Sequence, residues 1–150
     1  MRTMTVENLR AHADELAKAF NIGVVYDKAL PPDVAMALVF APPDPLSHWF
    51  GMREKMVAAP PIVDETSYAV VVHELGHHLA PNGYTAIKQP GPGRHPRETF
   101  EWAAAKLAAE EAAWDWARYY IEQVFMWTVA MEQTRQYAFN TYLKFRRTGR

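Results

Sequence analysis

The chain contains no cysteine among its 150 residues. Disulfides, thiolate nucleophiles and cysteine-based zinc sites are excluded together, so any metal has to sit on histidine and carboxylate. A charge imbalance is also missing: sixteen Lys and Arg stand against seventeen Asp and Glu, a formal charge of −1. That balance indicates neither a nucleic acid nor an anionic membrane as partner. Residues 1–20 lack the apolar centre of a signal peptide, and no run approaches the roughly 18 apolar residues of a membrane span. A soluble, cytoplasmic protein is expected. With 49% apolar and 13% aromatic residues, the chain has the material for a hydrophobic core, and one domain over residues 1–150 is expected, without internal repeats.

What is present begins with an amphipathic pattern. Val6, Leu9, Ala13, Leu16, Ala17 and Phe20 recur at three- and four-residue spacing, predicting a packing helix over about 5–20 that stops near Asn21-Ile22-Gly23. Between residues 22 and 61 the segments GVVYD, MALVF and KMVAA are short strand candidates separated by the proline-rich breaks LPPD, APPDP and APPI. They suggest a small sheet, with antiparallel pairing expected. Residues 86–94, AIKQPGPGR, carry two prolines and two glycines and read as an exposed loop. Pro96 suits the first turn of a helix. From Arg97 to about Lys144 there is neither proline nor glycine, which implies one long helix or two joined by an inconspicuous bend. Its Trp and Tyr residues are read as core, and the terminal KFRRTGR as a solvated basic tail.

The segment with chemical content is VVVHELGHHL, residues 70–79. Asp64-Glu65-Thr66-Ser67 offers cap chemistry before it and Pro81-Asn82-Gly83 a stop after it, framing a helix of about 67–80. At about 100° per residue, His73 and His77 lie roughly 40° apart on one face, one turn from each other, so two imidazoles can reach one ion. Zn²⁺ held by two histidines and a carboxylate keeps a position open for water and brings that water's pKa towards neutrality. Glu74, about 100° round from His73, is placed to act as general base rather than ligand. Gly76 permits close approach of another element. His78 points away from the pair, and His12 and His48 are read as bystanders.

A third ligand has to come from elsewhere. Continuation as a metzincin requires Gly at 80 and His at 83, but the chain has Ala80 and Gly83. The segment LAAEEAAWDWARYY, residues 107–120, supplies two glutamates ahead of an Ala-aromatic run. His95 in RHPRETF, 18 residues after His77, is a further candidate through a three-histidine set.

Residues from about Ala58 to Leu79 together with Leu107 to Tyr120 resemble the gluzincin zinc metallopeptidases, in particular the small ImmA/IrrE-like proteins of bacteria and phages. In that family a strand leads into the HExxH helix, and a later helix of the form Glu-x-x-Ala-(Asn/Asp)-x-Phe-Ala supplies the third ligand. Glu110-Glu-Ala-Ala113-Trp114-Asp-Trp116-Ala117 matches with Glu110 as ligand, and departs from the pattern at Trp114, where Asn or Asp is usual. A shift by one makes Glu111 the ligand with Asp115 as its partner, at the cost of the aromatic-Ala match.

The resemblance implies a small zincin-like α+β domain: a sheet of about three strands packed on the HExxH helix, with an N-terminal helix and long C-terminal helices. It implies Zn²⁺ on His73, His77 and Glu110, Glu74 as catalytic base, and hydrolysis of a peptide or protein substrate, such as a specific intracellular target. A zinc-binding regulatory protein on the same scaffold is the alternative. An oxyanion donor besides zinc is needed, and Tyr119, Tyr120, Arg118, His95 and Tyr84 are all candidates.

Overall fold

The computed structural model describes residues 1–31, 34–39, 55–85, 87 and 89–148, with the backbone alone for 39 and 144–148. Phe40 of the expected second strand, His48 and the side chains of the basic tail lie outside the described residues. The order of elements is α1 (Val6–Ala19), β1 (Gly23–Tyr26), β2 (Met36–Val39), β3 (Lys55–Ala59), α2 (Glu65–Leu79), α3 (Pro96–Glu122) and α4 (Val129–Thr148). The fold is α+β.

Helix α1 starts where Thr5 accepts a hydrogen bond from the Asn8 amide at 3.1 Å, satisfying one of the donors left free at a helix N-terminus. It buries Leu9, Ala13, Leu16 and Ala17 of the expected stripe, whereas Val6 is half-buried and Phe20 exposed. The strand order is β1-β3-β2. Strand β2 runs antiparallel to β3, from Met36 opposite Ala58 to Val39 opposite Lys55, but β1 runs parallel to it, from Gly23 opposite Met56 to Tyr26 opposite Ala59. The sheet is therefore mixed rather than antiparallel. Strand β2 runs opposite to β1, and β3 lies between these two earlier strands instead of beside the last one, so its neighbours run in opposite directions.

Helix α2 begins two residues earlier than the sequence reading, because Asp64 rather than a later residue caps it. The Asp64 carboxylate accepts from the Ser67 amide at 2.8 Å, and the Ser67 hydroxyl accepts from the Asp64 amide at 3.1 Å. This helix touches α1, α3, α4, β2 and β3. Being surrounded, it has apolar residues on several faces: Tyr68, Val71, Val72 and Leu75 are all fully buried, and each aliphatic burial is worth about 1.5–3 kcal/mol.

The stretch without proline or glycine folds as two helices. Phe125, buried in the turn, packs edge-on against Tyr68 at 5.6 Å, anchoring the reversal in the core. Thr128 then starts α4: its hydroxyl accepts from the Met131 amide at 3.3 Å while donating to Glu65 of α2 at 2.7 Å. The bend is made by a buried aromatic and a threonine cap, neither of which breaks a helix by itself. Among the described residues no helix is long and apolar enough to cross a membrane.

Candidate metal centre

Helices α2 and α3 pack closely because Gly76 has no side chain. A Cβ there would collide with the backbone carbonyl of Ala113. The same approach brings Glu110, just under one turn before Ala113, over the histidine face of α2.

His73 and His77 meet edge to face, with ring centroids 4.5 Å apart. The Nε2 atom of His73 lies 2.8 Å from one Glu110 carboxylate oxygen, and Nε2 of His77 lies 2.9 Å from the other. All three side chains are buried, and their ligand atoms lie within 4.8 Å of one another. On the far side of its ring, His77 donates through Nδ1 to the Gly83 carbonyl at 2.6 Å. That bond fixes the proton of a neutral imidazole on Nδ1 and leaves the Nε2 lone pair facing an anionic oxygen. Such a convergence is repulsive unless a proton or a cation lies between the groups. The buried His73, His77 and Glu110 group could hold a metal ion.

Electrostatics of the protein alone follow the same contacts. Burial disfavours charge on His73, but its bonds to Glu110 and then Glu74 outweigh it and push the imidazole up to about 9. Burial likewise acts to raise Glu110, yet the bonds from His73 and His77 hold its carboxyl well below the usual carboxylate range. Glu74, at 9% exposure, approaches Nδ1 of His73 at 3.4 Å.

Two cavities flank Glu74. One, of about 490 Å³, is lined by Val70, His73, Glu74, Trp114 and residues of α4 from Ala130 to Ala138. The other, of about 360 Å³, is lined by residues 35–38 of the β2 region, Glu74, His77, Glu110, Lys106 and Tyr142. Strand β2 is an edge of the sheet among the described residues. Trp114 occupies the place where the resemblance leads one to expect Asn or Asp, and its indole stacks on His73.

Glu111 and Asp115 are exposed and are not part of the cluster. His95 is also exposed; it caps α3, its Nδ1 accepting from the Arg97 amide at 3.1 Å, and is not part of the cluster. His78 is buried. It donates through Nε2 to the Met56 carbonyl of β3 at 2.7 Å and accepts at Nδ1 from the Tyr84 hydroxyl, tying α2 to the sheet. His12 is likewise buried, bonded to Tyr68.

Several residues escaped the sequence reading. Gly83 was legible only as a helix stop, yet a Cβ on it would crowd the His77 carbonyl at 2.5 Å, so its glycine lets the chain fold back beneath His77. A glycine directly after the HExxH helix was the available signal. Lys106 could have been placed by its i,i+4 relation to Glu110, but Tyr142 had no local signal, since α4 reaches the site only through the turn at 123–128. Comparison finds no family model that matches the chain, and no similar curated protein or solved structure.

Proposed function

We propose that the chain is a zinc-dependent metallopeptidase with a zincin-like fold of the gluzincin kind. The observation that carries this reading is the convergence of His73 Nε2, His77 Nε2 and both Glu110 oxygens, with Glu74 lining the same cavity as His77 and Glu110. Two imidazoles and one carboxylate are the donor set that suits catalytic zinc. Bound there, zinc would acidify water and polarise a carbonyl.

The residues of the chain divide the remaining work. The edge of β2, unpaired among the described residues, offers backbone groups along which an extended peptide can lie, beside Glu74, His77 and Glu110. Glu74 accepts a proton from the attacking water as its oxygen bonds to the peptide carbon. The same carboxyl then delivers that proton to the nitrogen as the carbon–nitrogen bond breaks, and the products are a carboxylate and an amine. Gly83 holds the His77 ring in its working tautomer.

The experiment compares wild type with Glu74→Gln, measuring zinc content by elemental analysis and cleavage of a mixed peptide library by mass spectrometry. Both proteins should bind one zinc, and only the wild type should cleave. Equal zinc with no cleavage by either favours the regulatory zinc protein instead, a reading to which the proximity of Glu74 to His73 Nδ1 lends some support.

A further inference from the structure

A developing oxyanion needs a hydrogen-bond donor aimed at it from the protein. The residues that the sequence offers for this task are occupied elsewhere. The Tyr84 hydroxyl bonds to His78, Arg118 pairs with Glu122 and lies over Trp127, and Tyr120 packs against Phe20 and Trp116. Tyr119 is 63% exposed, and His95 caps α3 away from the cluster.

Two phenols line the right cavity, and the Tyr84 hydroxyl is already bonded to His78. Tyr142 of α4 lines the same space as Glu74, His77, Glu110 and the β2 edge. Its ring is braced by Trp102, edge to face at 6.5 Å, and no hydrogen bond ties its hydroxyl to another described side chain. We propose that the Tyr142 hydroxyl is the oxyanion donor, supplied by the last helix to a site built otherwise on α2 and α3; this rests on the peptidase reading. A phenol suits the position because it is a neutral donor at physiological pH. Burial, and then the carboxylates of Glu110 and Glu74, push its pKa up to about 12, so it holds its proton beside two acids. Lys106, Thr85 and Tyr84 also line the cavity, and Lys106 is the cationic donor tested against Tyr142.

The test uses the zinc-loaded full chain as wild type, Tyr142→Phe and Lys106→Met. It measures cleavage of a quenched-fluorescent peptide library, zinc content, and binding of two probes. One is a peptide phosphoramidate, whose tetrahedral anionic oxygens imitate the transition state; the other is a peptide thiol, which offers no such oxygen. Tyr142→Phe should lower kcat about 100-fold, the cost of removing one oxyanion donor. KM should stay within about threefold, and zinc content should not change. Phosphoramidate affinity should fall with kcat while thiol affinity holds. Cleavage and phosphoramidate binding within twofold of wild type would overturn the assignment, as would a loss confined to Lys106→Met. A wild type that cleaves no peptide and binds neither probe overturns the peptidase reading itself, and the role of Tyr142 with it.

Discussion

The indole of Trp114 lies nearly flat on the imidazole of His73, with 4.3 Å between ring centroids and 16° between ring planes. Histidine ligands are ordinarily oriented by a polar partner on the second ring nitrogen. Here the ring is held by a stacked face, and the nearest carboxylate to Nδ1 is Glu74 at 3.4 Å. Trp114→Phe keeps an aromatic face and should leave zinc affinity within a few fold of wild type. Trp114→Leu retains apolar bulk without the stack and should weaken zinc about 10-fold or more, read by competition with a chromophoric chelator. Trp114→Ala should in addition cost about 3–5 kcal/mol of stability through the cavity it leaves.

Gly76 sets the distance between the two helices that hold the site. Alanine is the better helix former by about 1 kcal/mol, so propensity alone predicts that Gly76→Ala stabilises α2. The added Cβ meets the Ala113 backbone carbonyl rather than a side chain that could swing aside. Steric conflict should win, with a net loss of about 1–3 kcal/mol in urea unfolding. Zinc affinity should fall too, because displacing α3 carries Glu110 away from His73 and His77.

Local chemistry was legible, and tertiary closure was not. The cap at Asp64 with Ser67 and the one-turn spacing of His73 and His77 both follow from helix geometry within one element. The choice between Glu110 and Glu111 did not, since neighbours on a helix differ by about 100° and only packing decides which is buried. Strand direction in the sheet depended on where β3 inserted, which no strand's own residues record. The stack of Trp114 on His73 and the arrival of Tyr142 both join residues far apart in the chain. The position of the turn at 123–128 was not legible because a buried Phe125 and a Thr128 cap make it without proline or glycine.

The two adjacent glutamates give a direct test of that packing. Glu110 is buried against both histidines, whereas Glu111 is exposed. Glu110→Gln replaces a charged oxygen with an amide at the cluster and should weaken zinc by more than the roughly 10–100-fold cost of disturbing an outer partner. Glu111→Gln should change affinity by less than about threefold. Isothermal titration with zinc distinguishes the two, and comparable losses in both variants would count against Glu110 as the ligand.

Away from the cluster, His12 makes stability depend on pH. Its Nδ1 accepts from the Tyr68 hydroxyl at 2.6 Å, and burial pushes the Tyr68 pKa well above its ordinary value, so that proton stays on the tyrosine. Burial first, and then the positive charge of Arg2, lower the His12 pKa; the Glu15 carboxylate acts the other way without prevailing. In the unfolded chain the imidazole gains a proton near its ordinary value of about 6.5, whereas in the fold it stays neutral to lower pH. The unfolded state therefore binds more protons in this interval, and the folded state loses stability as pH falls below about 6.5. His12→Gln keeps an acceptor for Tyr68 but does not titrate. Urea unfolding of both proteins at pH 7.5, 6.5 and 5.5 should show wild type losing more stability than the variant across that range, with contributions from all other groups cancelling in the difference. Parallel stability profiles for the two proteins would mean that His12 is as free to charge in the fold as out of it, contrary to its buried contact with Tyr68.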